Sequence, residues 1–448
     1  RGQSELIPLI KASGCDMNVS LGDGRTGLHV AAMLGMEGSV KELLMAGIEV
    51  TAKDKKGKTC AYWACEYGHL EVLKCLEYHC SPEVLSLLVR ARTDDGRTCA
   101  HAASEGGHLE ILEYLKETFG EDVLRESRND GGTCAHAASQ EGRLQVLNYL
   151  KETYVLREKK GDGGTCAHSA SLRGHLEVLK YLKETCGEDM LREKRDAGWT
   201  CAHSASQEGH LEVLKYLKET CGEEILRAKR DDGWTCAHSA SLKGHLEILQ
   251  YLKETCGEVV LRESRSDGIT CSHWACQAGR LQVVMYLKET CGEDILRQKA
   301  NNGWTCAHAA GLRGHLEVLK YLKETCGEEI LREKKADGGT CVHEASACGH
   351  LEVLKYLEET CGEEMLREKK NDGDTCAHAA SEEGHLEVLK YLKDSCGEEI
   401  LKQKRDDGAT CAHAASEEGQ LEVLKYLKAT CGEELLMEKK NDGGTCAL

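Results

Sequence analysis

The sequence predicts an all-α fold, a curved, elongated solenoid of helix-turn-helix repeats joined by turn or hairpin loops. Three observations carry that expectation. A "G-x-T" marker falls at Thr26, Thr59, Thr98, Thr133 and Thr165, and then at every 35th residue as far as Thr445. Self-similarity at a fixed period is the mark of stacked repeats. The apolar residues between markers stand at helical spacing, as in "HLEVLKYLKETCG". Finally, a chain of 448 residues with a single Phe lacks the bulk for one large core and suits many small ones of Leu, Val and Ala.

Each element has a local reason. Asp-Gly opens the unit as a turn, since Gly reaches positive φ without a steric penalty. The marker Thr follows as a helix N-cap. Small Ala and Ser make a short, thin first helix, ended by Gly209, Gly244 or Gly314 in successive examples. "HLEVLKYLKETCG" is then a second, amphipathic helix that stops at another Gly. The following "EEILREK" reads as an extra helical turn on a solvated outer face, with Glu188 and Arg192, or Glu223 and Arg227, four apart and placed to pair. No unit can bury its apolar face alone, so stacking is obligatory.

Twelve complete units occupy 23–441, starting near 23, 56, 95, 130, 162, 197, 232, 267, 302, 337, 372 and 407. A partial repeat fills 1–22, a further one opens at 442–448, and 1–448 is expected to be one continuous solenoid. Neither end shows a polar capping repeat, so the array is expected to continue beyond this segment.

These units resemble the ankyrin repeat. The T-P-L-H-x-A signature stands as "TGLHVA" at Thr26 and "TCAHSA" at Thr200 and Thr235, and the G-H-x-E-V-[VL] corner as "GHLEVL" at Gly209 and Gly384. "GCDMNVS" at Gly14 looks like the family's hairpin. Cys replaces Pro, Ala replaces Leu, and most units are two residues longer than that pattern. The resemblance implies a non-enzymatic scaffold that binds protein partners on a concave face lined by turn tips. It also implies that the recurrent His203, His238 and His308 are buried, each bonded to the Thr hydroxyl and to neighbouring backbone.

A formal charge of −18 argues against nonspecific binding to nucleic acid or anionic membranes. No apolar run reaches membrane-spanning length, and the expected setting is an intracellular, cytoplasmic, reducing compartment. The 26 cysteines then need another explanation. Tetrahedral zinc needs four convergent ligands, and each "TCAH" offers two. Equivalent cysteines of adjacent units should lie about 8–10 Å apart, beyond the ~7 Å that a disulfide tolerates. Within a unit, Cys201 and Cys221 are the candidates. Yet the second slot is Phe119 and Tyr154 where Cys99 and Cys134 remain, so it is an apolar packing slot.

No catalytic, cofactor or metal residue is expected. A Cys-His dyad repeated in most units, without an oxyanion hole, is not an enzyme. The second His, as in His210 and His245, gives way to Arg143, Arg280 and Gln420, which reads as a surface corner. "HEASACGH" at His343 lacks the second ligand of a zinc protease, since position 347 is Ala.

Where repeats agree they hold the stack; where they differ they are available to a partner. The residue before the marker Thr is Trp199, Trp234, Ile269 and Trp304 in four consecutive units, and Trp274 lies in the same block. These would form a stripe about 30 Å long, of the kind that marks an interaction site. Arg173, Lys243 and Arg313 precede the corner Gly in every second unit, and the same positions turn acidic at Glu382, Glu383, Glu417 and Glu418. The competing reading is that the Trp side chains pack between units. The chain is accordingly expected to be a protein-binding scaffold within a larger complex. The alternatives are a regulatory segment of a larger enzyme or membrane channel, or a thiol-based redox or metal sensor.

Overall fold

The structure is a computed structural model that describes residues 18–153 and 155–446. Gly14 to Met17 of the hairpin-like opening, most of the partial repeat 1–22, Tyr154 and positions 447–448 lie outside the described residues. Among those described there are 29 α-helices and no strand; extended pairing is confined to isolated bridges such as Ser264 with Thr270. The chain forms two compact units, Arg1–Ile225 and Leu226–Leu448.

The first unit stacks helix pairs, from Gly27–Met33 with Glu37–Ala46 to Cys201–Glu208 with Leu211–Cys221. Its irregular repeats have local causes. The longest one adds the helix Pro82–Arg90, capped by the Ser81 hydroxyl, which accepts from the Val84 N–H at 3.4 Å, and started by Pro82. The shortest one closes on a second helix of only seven residues, Leu144–Leu150, followed by 3-10 turns.

The second unit is more regular, from Cys236–Lys243 with Leu246–Cys256 to Cys411–Glu417 with Leu421–Cys431. In both units small first helices allow close stacking, and Ala and Cys there are fully enclosed. The second helices contribute Val and Leu to the core, such as Val318, Leu319 and Leu322. "EEILREK" does form the extra turn, as Asp294–Arg297 or Glu328–Leu331. It is not wholly a solvated face, because its Ile295 and Leu296 are buried. Glu293 meets Arg297 at 2.6 Å, and Arg297 reaches on to the carbonyl of Cys326 at the end of the next repeat's second helix. Cations at helix C-termini satisfy carbonyls left without intrahelical partners.

Two side-chain clasps join successive repeats. In the first, the His308 Nδ1 accepts from the Thr305 hydroxyl at 2.7 Å and from the Thr305 N–H at 3.3 Å, while Nε2 lies 3.1 Å from the carbonyl of Gly339 in the next repeat. A carbonyl only accepts, so Nε2 carries the proton; Nδ1 faces two donors and is bare. The same clasp runs from His101 to Gly132, from His136 to Gly164 and from His238 to Ile269. Burial pushes His101, His136, His273 and His308 down to about 4, which keeps these rings neutral.

The second clasp runs backwards from the corner. The His315 Nε2 donates to the carbonyl of Gln277 at 3.0 Å, and the His350 Nε2 to that of Leu312 at 3.1 Å. Arg143 does the same to Glu105 at 2.9 Å, Arg280 to Leu242 at 3.3 Å and Gln420 to Glu382 at 3.1 Å. The corner is therefore a joint whose requirement is an N–H donor of some reach. Gly314 lies under this donor at φ +72°, and a Cβ there would sit 2.6 Å from the His350 Nδ1.

Two predictions follow from the clasps. A histidine held near 4 when folded and titrating at about 6.5 when unfolded takes up its proton first in the unfolded chain. Its contribution is full above pH ~6.5, declines as pH falls towards ~4 and is lost below that, at about 3 kcal/mol per clasp. Thermal melting across this range should show Tm steady near neutrality and falling steeply below pH ~6.5; a Tm flat through that window contradicts the neutral clasp. Separately, Gly314→Ala should cost on the order of 1–3 kcal/mol. Hydrogen exchange should quicken in Cys306–Leu312 and Leu316–Cys326 while distant repeats keep their protection.

Candidate protein-interaction face

In the first unit the turn tips and the exposed ends of the first helices share one face. Lys58 at a tip pairs with Glu66 near the end of the same repeat's first helix at 2.6 Å, and Arg97 pairs likewise with Glu105 at 2.9 Å. A small notch in the first unit is lined by tip residue Gly164 together with Ser169 and Leu172 of the following helix.

In the first unit Trp199 is half-buried at its tip. Its indole N–H donates to the Ser204 hydroxyl at 2.7 Å, and the Arg195 guanidinium lies 5.1 Å from its ring, itself held by Asp162 at 2.7 Å. Arg173 is exposed.

In the second unit Trp234 is only 8% exposed, against half-burial for Ile269, Trp274 and Trp304. Trp234 donates to the Ser239 hydroxyl at 2.7 Å and packs on Trp274 with ring centroids 5.0 Å apart. Arg265 stacks over both indoles, at 5.6 and 5.8 Å. Trp304 lies under Lys335 at 5.5 Å, and Lys335 is held by Glu344 at 2.7 Å. Lys243 and Arg313 are exposed. The structure thus brings Trp234 and Trp274 together as a pair and leaves Trp304 as a separate platform. At Trp234 packing within the unit takes most of the indole surface.

Sequence reasoning passed over the cations at the base of each tip: Arg195, Arg230, Arg265 and Lys335, each five residues before a marker Thr. The regular recurrence of Lys or Arg at that offset is the signal that finds them. They lie over Trp199, Trp234, Trp274 and Trp304, each a cation–π contact worth about 0.5–2 kcal/mol.

The cysteines are thiols with packing roles. All 25 described cysteines are unbridged, and nearly all are buried. Burial pushes Cys201 up to about 12, and Cys166 and Cys271 likewise, each beside a serine of the preceding repeat: Ser171, Ser139 and Ser241. In two places that serine slot is itself Cys, which sets Cys65 beside Cys99 and Cys276 beside Cys306. Cys201 and His203 of one "TCAH" engage different neighbours, Ser171 and Thr200. Among the described residues no three His, Cys, Asp or Glu side chains converge as a metal site. Thiol titration should find slow, partial reaction of the native chain and all 26 cysteines after denaturation; fast reaction of most thiols in the native state contradicts the packing role.

Family models described as ankyrin repeats (3 copies) match residues 1–85, 76–158, 273–368 and 359–439, and one described as ankyrin repeats (many copies) matches 135–183 and 202–252. Among curated proteins, the chain is 41% identical over 78 residues to Serine/threonine-protein kinase 12 of Arabidopsis thaliana, 17% of each chain. It is 36% identical over 63 residues to Neurogenic locus notch homolog protein 1 of Xenopus tropicalis, 14% of this chain and 2% of that protein. The chain therefore covers 17% and 2% of the lengths of these relatives. No described helix is long and apolar enough to cross a membrane. With family matches over most of its length, on repeats that carry the Thr–His clasp, the chain belongs to the ankyrin repeat family.

Proposed function

We propose that this chain, built of ankyrin repeats that are protein–protein interaction modules in a generally non-catalytic family, is an interaction scaffold that holds a protein partner on its tip face, within a larger assembly in a reducing, cytoplasmic setting. The candidate residues are Trp199 and Arg173 in the first unit and, separately, Trp234, Ile269, Trp274, Trp304, Lys243 and Arg313 in the second. One observation carries this reading: half-buried aromatic or branched side chains occupy tips where other repeats have Gly132, Gly164, Gly339 or Ala409. Large rigid aromatics with one face held and the other open are favoured anchors. The regular repeats fit a spacing or tethering role. The match to a stretch of a serine/threonine-protein kinase supports a second reading, a regulatory segment of a larger enzyme.

Paired variants separate binding from packing. Trp199→Ala with Trp304→Ala should keep helical content, lower stability by about 0.5–2 kcal/mol for each lost cation–π contact, and weaken capture of a partner identified from cell extract by about tenfold or more. Trp234→Ala should instead lower stability by about 3–5 kcal/mol, because it empties a buried slot against Trp274. Equal capture by wild type and the Trp199/Trp304 variant contradicts the proposed face.

A further inference from the structure

Two positions meet on the tip face of each repeat: the tip itself and the residue seven after the marker Thr. In two repeats of the first unit they are charge-matched, Lys58 with Glu66 and Arg97 with Glu105, so the face neutralises itself at those repeats. In the second unit the same positions hold Trp234 with Leu242 and Trp304 with Leu312, and later Asp374 with Glu382. Asp374 is buried and held by Lys370 at 2.8 Å. Beside these positions stand exposed Lys243, Arg313, Glu382, Glu383 and Glu418, and among the described residues no ion pair involves any of the five. The internal pairing that those two repeats supply is absent at these five side chains.

We infer that this face of the second unit takes an extended segment of a protein partner whose one half is acidic and whose other half is basic. The inference rests on the tip-face reading above and gives it a chemistry. Lys243 and Arg313 lie two repeats apart, or about 16–20 Å at the usual spacing of packed helices. An extended chain rises about 3.3 Å per residue, so carboxylates about six residues apart meet both cations. Another six residues or so bring Lys or Arg side chains to Glu382 and Glu383, and about three more bring one to Glu418. An apolar residue between the two carboxylates meets Trp274 and Leu312.

The overall charge of −18 repels a wholly acidic ligand and draws in the basic end of a mixed one. The two isolated cations then fix register, because misplaced charges oppose like charges. The acidic block opposes a phosphate backbone, so nucleic acid does not fit the pattern.

The test uses the full chain and two labelled synthetic peptides. One has the order Asp-x5-Asp-x5-Lys-x2-Lys with Leu midway between the acids; the other has every charge reversed. Fluorescence anisotropy should show the first binding about tenfold or more tighter than the second, with the gap shrinking in high salt. Lys243→Glu with Arg313→Glu should remove that preference without altering melting, since both side chains are exposed. Equal affinity for the two peptides, no binding of either, or an unchanged preference in the double variant overturns the inference. If the peptides fail while Trp199→Ala with Trp304→Ala still lowers partner capture, the interaction face stands and only its charge pattern falls. If both fail, the face falls as well.

Discussion

A neutral imidazole between two backbones is the constraint on which the rest of this fold depends. The repeat of Thr59 has Tyr62 in the ring's place, but in many repeats the marker Thr hydroxyl donates to the ring and the opposite nitrogen donates to the next repeat's tip carbonyl, as in Thr305, His308 and Gly339. That single ring caps a helix, closes a turn and positions the following repeat. The tip carbonyl it holds belongs to the variable residue, for instance Ile269 for His238 and Trp304 for His273. Architecture and recognition therefore meet at one peptide group: the backbone is fixed, and the side chain is free to differ.

Other links also join neighbouring repeats. Corner donors reach back to the preceding first helix, Arg297 reaches forward to the next second helix, and the Ser266 N–H donates to the turn carbonyl of Asp232 at 3.0 Å. A protein built this way distributes its stability over many small, similar joints. A lesion loosens its own joint first, so local opening precedes global unfolding. Buried thiols with raised pKa values suit such a structure, being small, apolar and unreactive in their slots.

Much of this was legible in the sequence. The period, the helix pairs, the capping Thr, the enclosed His and the structural Cys all follow from a repeated pattern of residue types. The corner donor was misread for a physical reason. His, Arg and Gln share an N–H of suitable reach, and a position chosen for that property alone looks like tolerated variation on a surface, as at His210, Arg143 and Gln420. The burial of Trp234 was hidden because it depends on Trp274, a residue of the next repeat that only stacking brings close. The outer "EEILREK" turn looked wholly solvated since its charges outnumber its apolar residues, yet Ile295 and Leu296 close the core beneath it.

The most direct measurement is the protonation pattern of the repeated imidazoles by long-range proton–nitrogen NMR correlation on the labelled chain. The account predicts a bare Nδ1 and a protonated Nε2 at His101, His136, His273 and His308, unchanged from neutral pH down to about 5. Protonation at Nδ1, or titration of these rings near the ordinary histidine range of about 6.5, would contradict it.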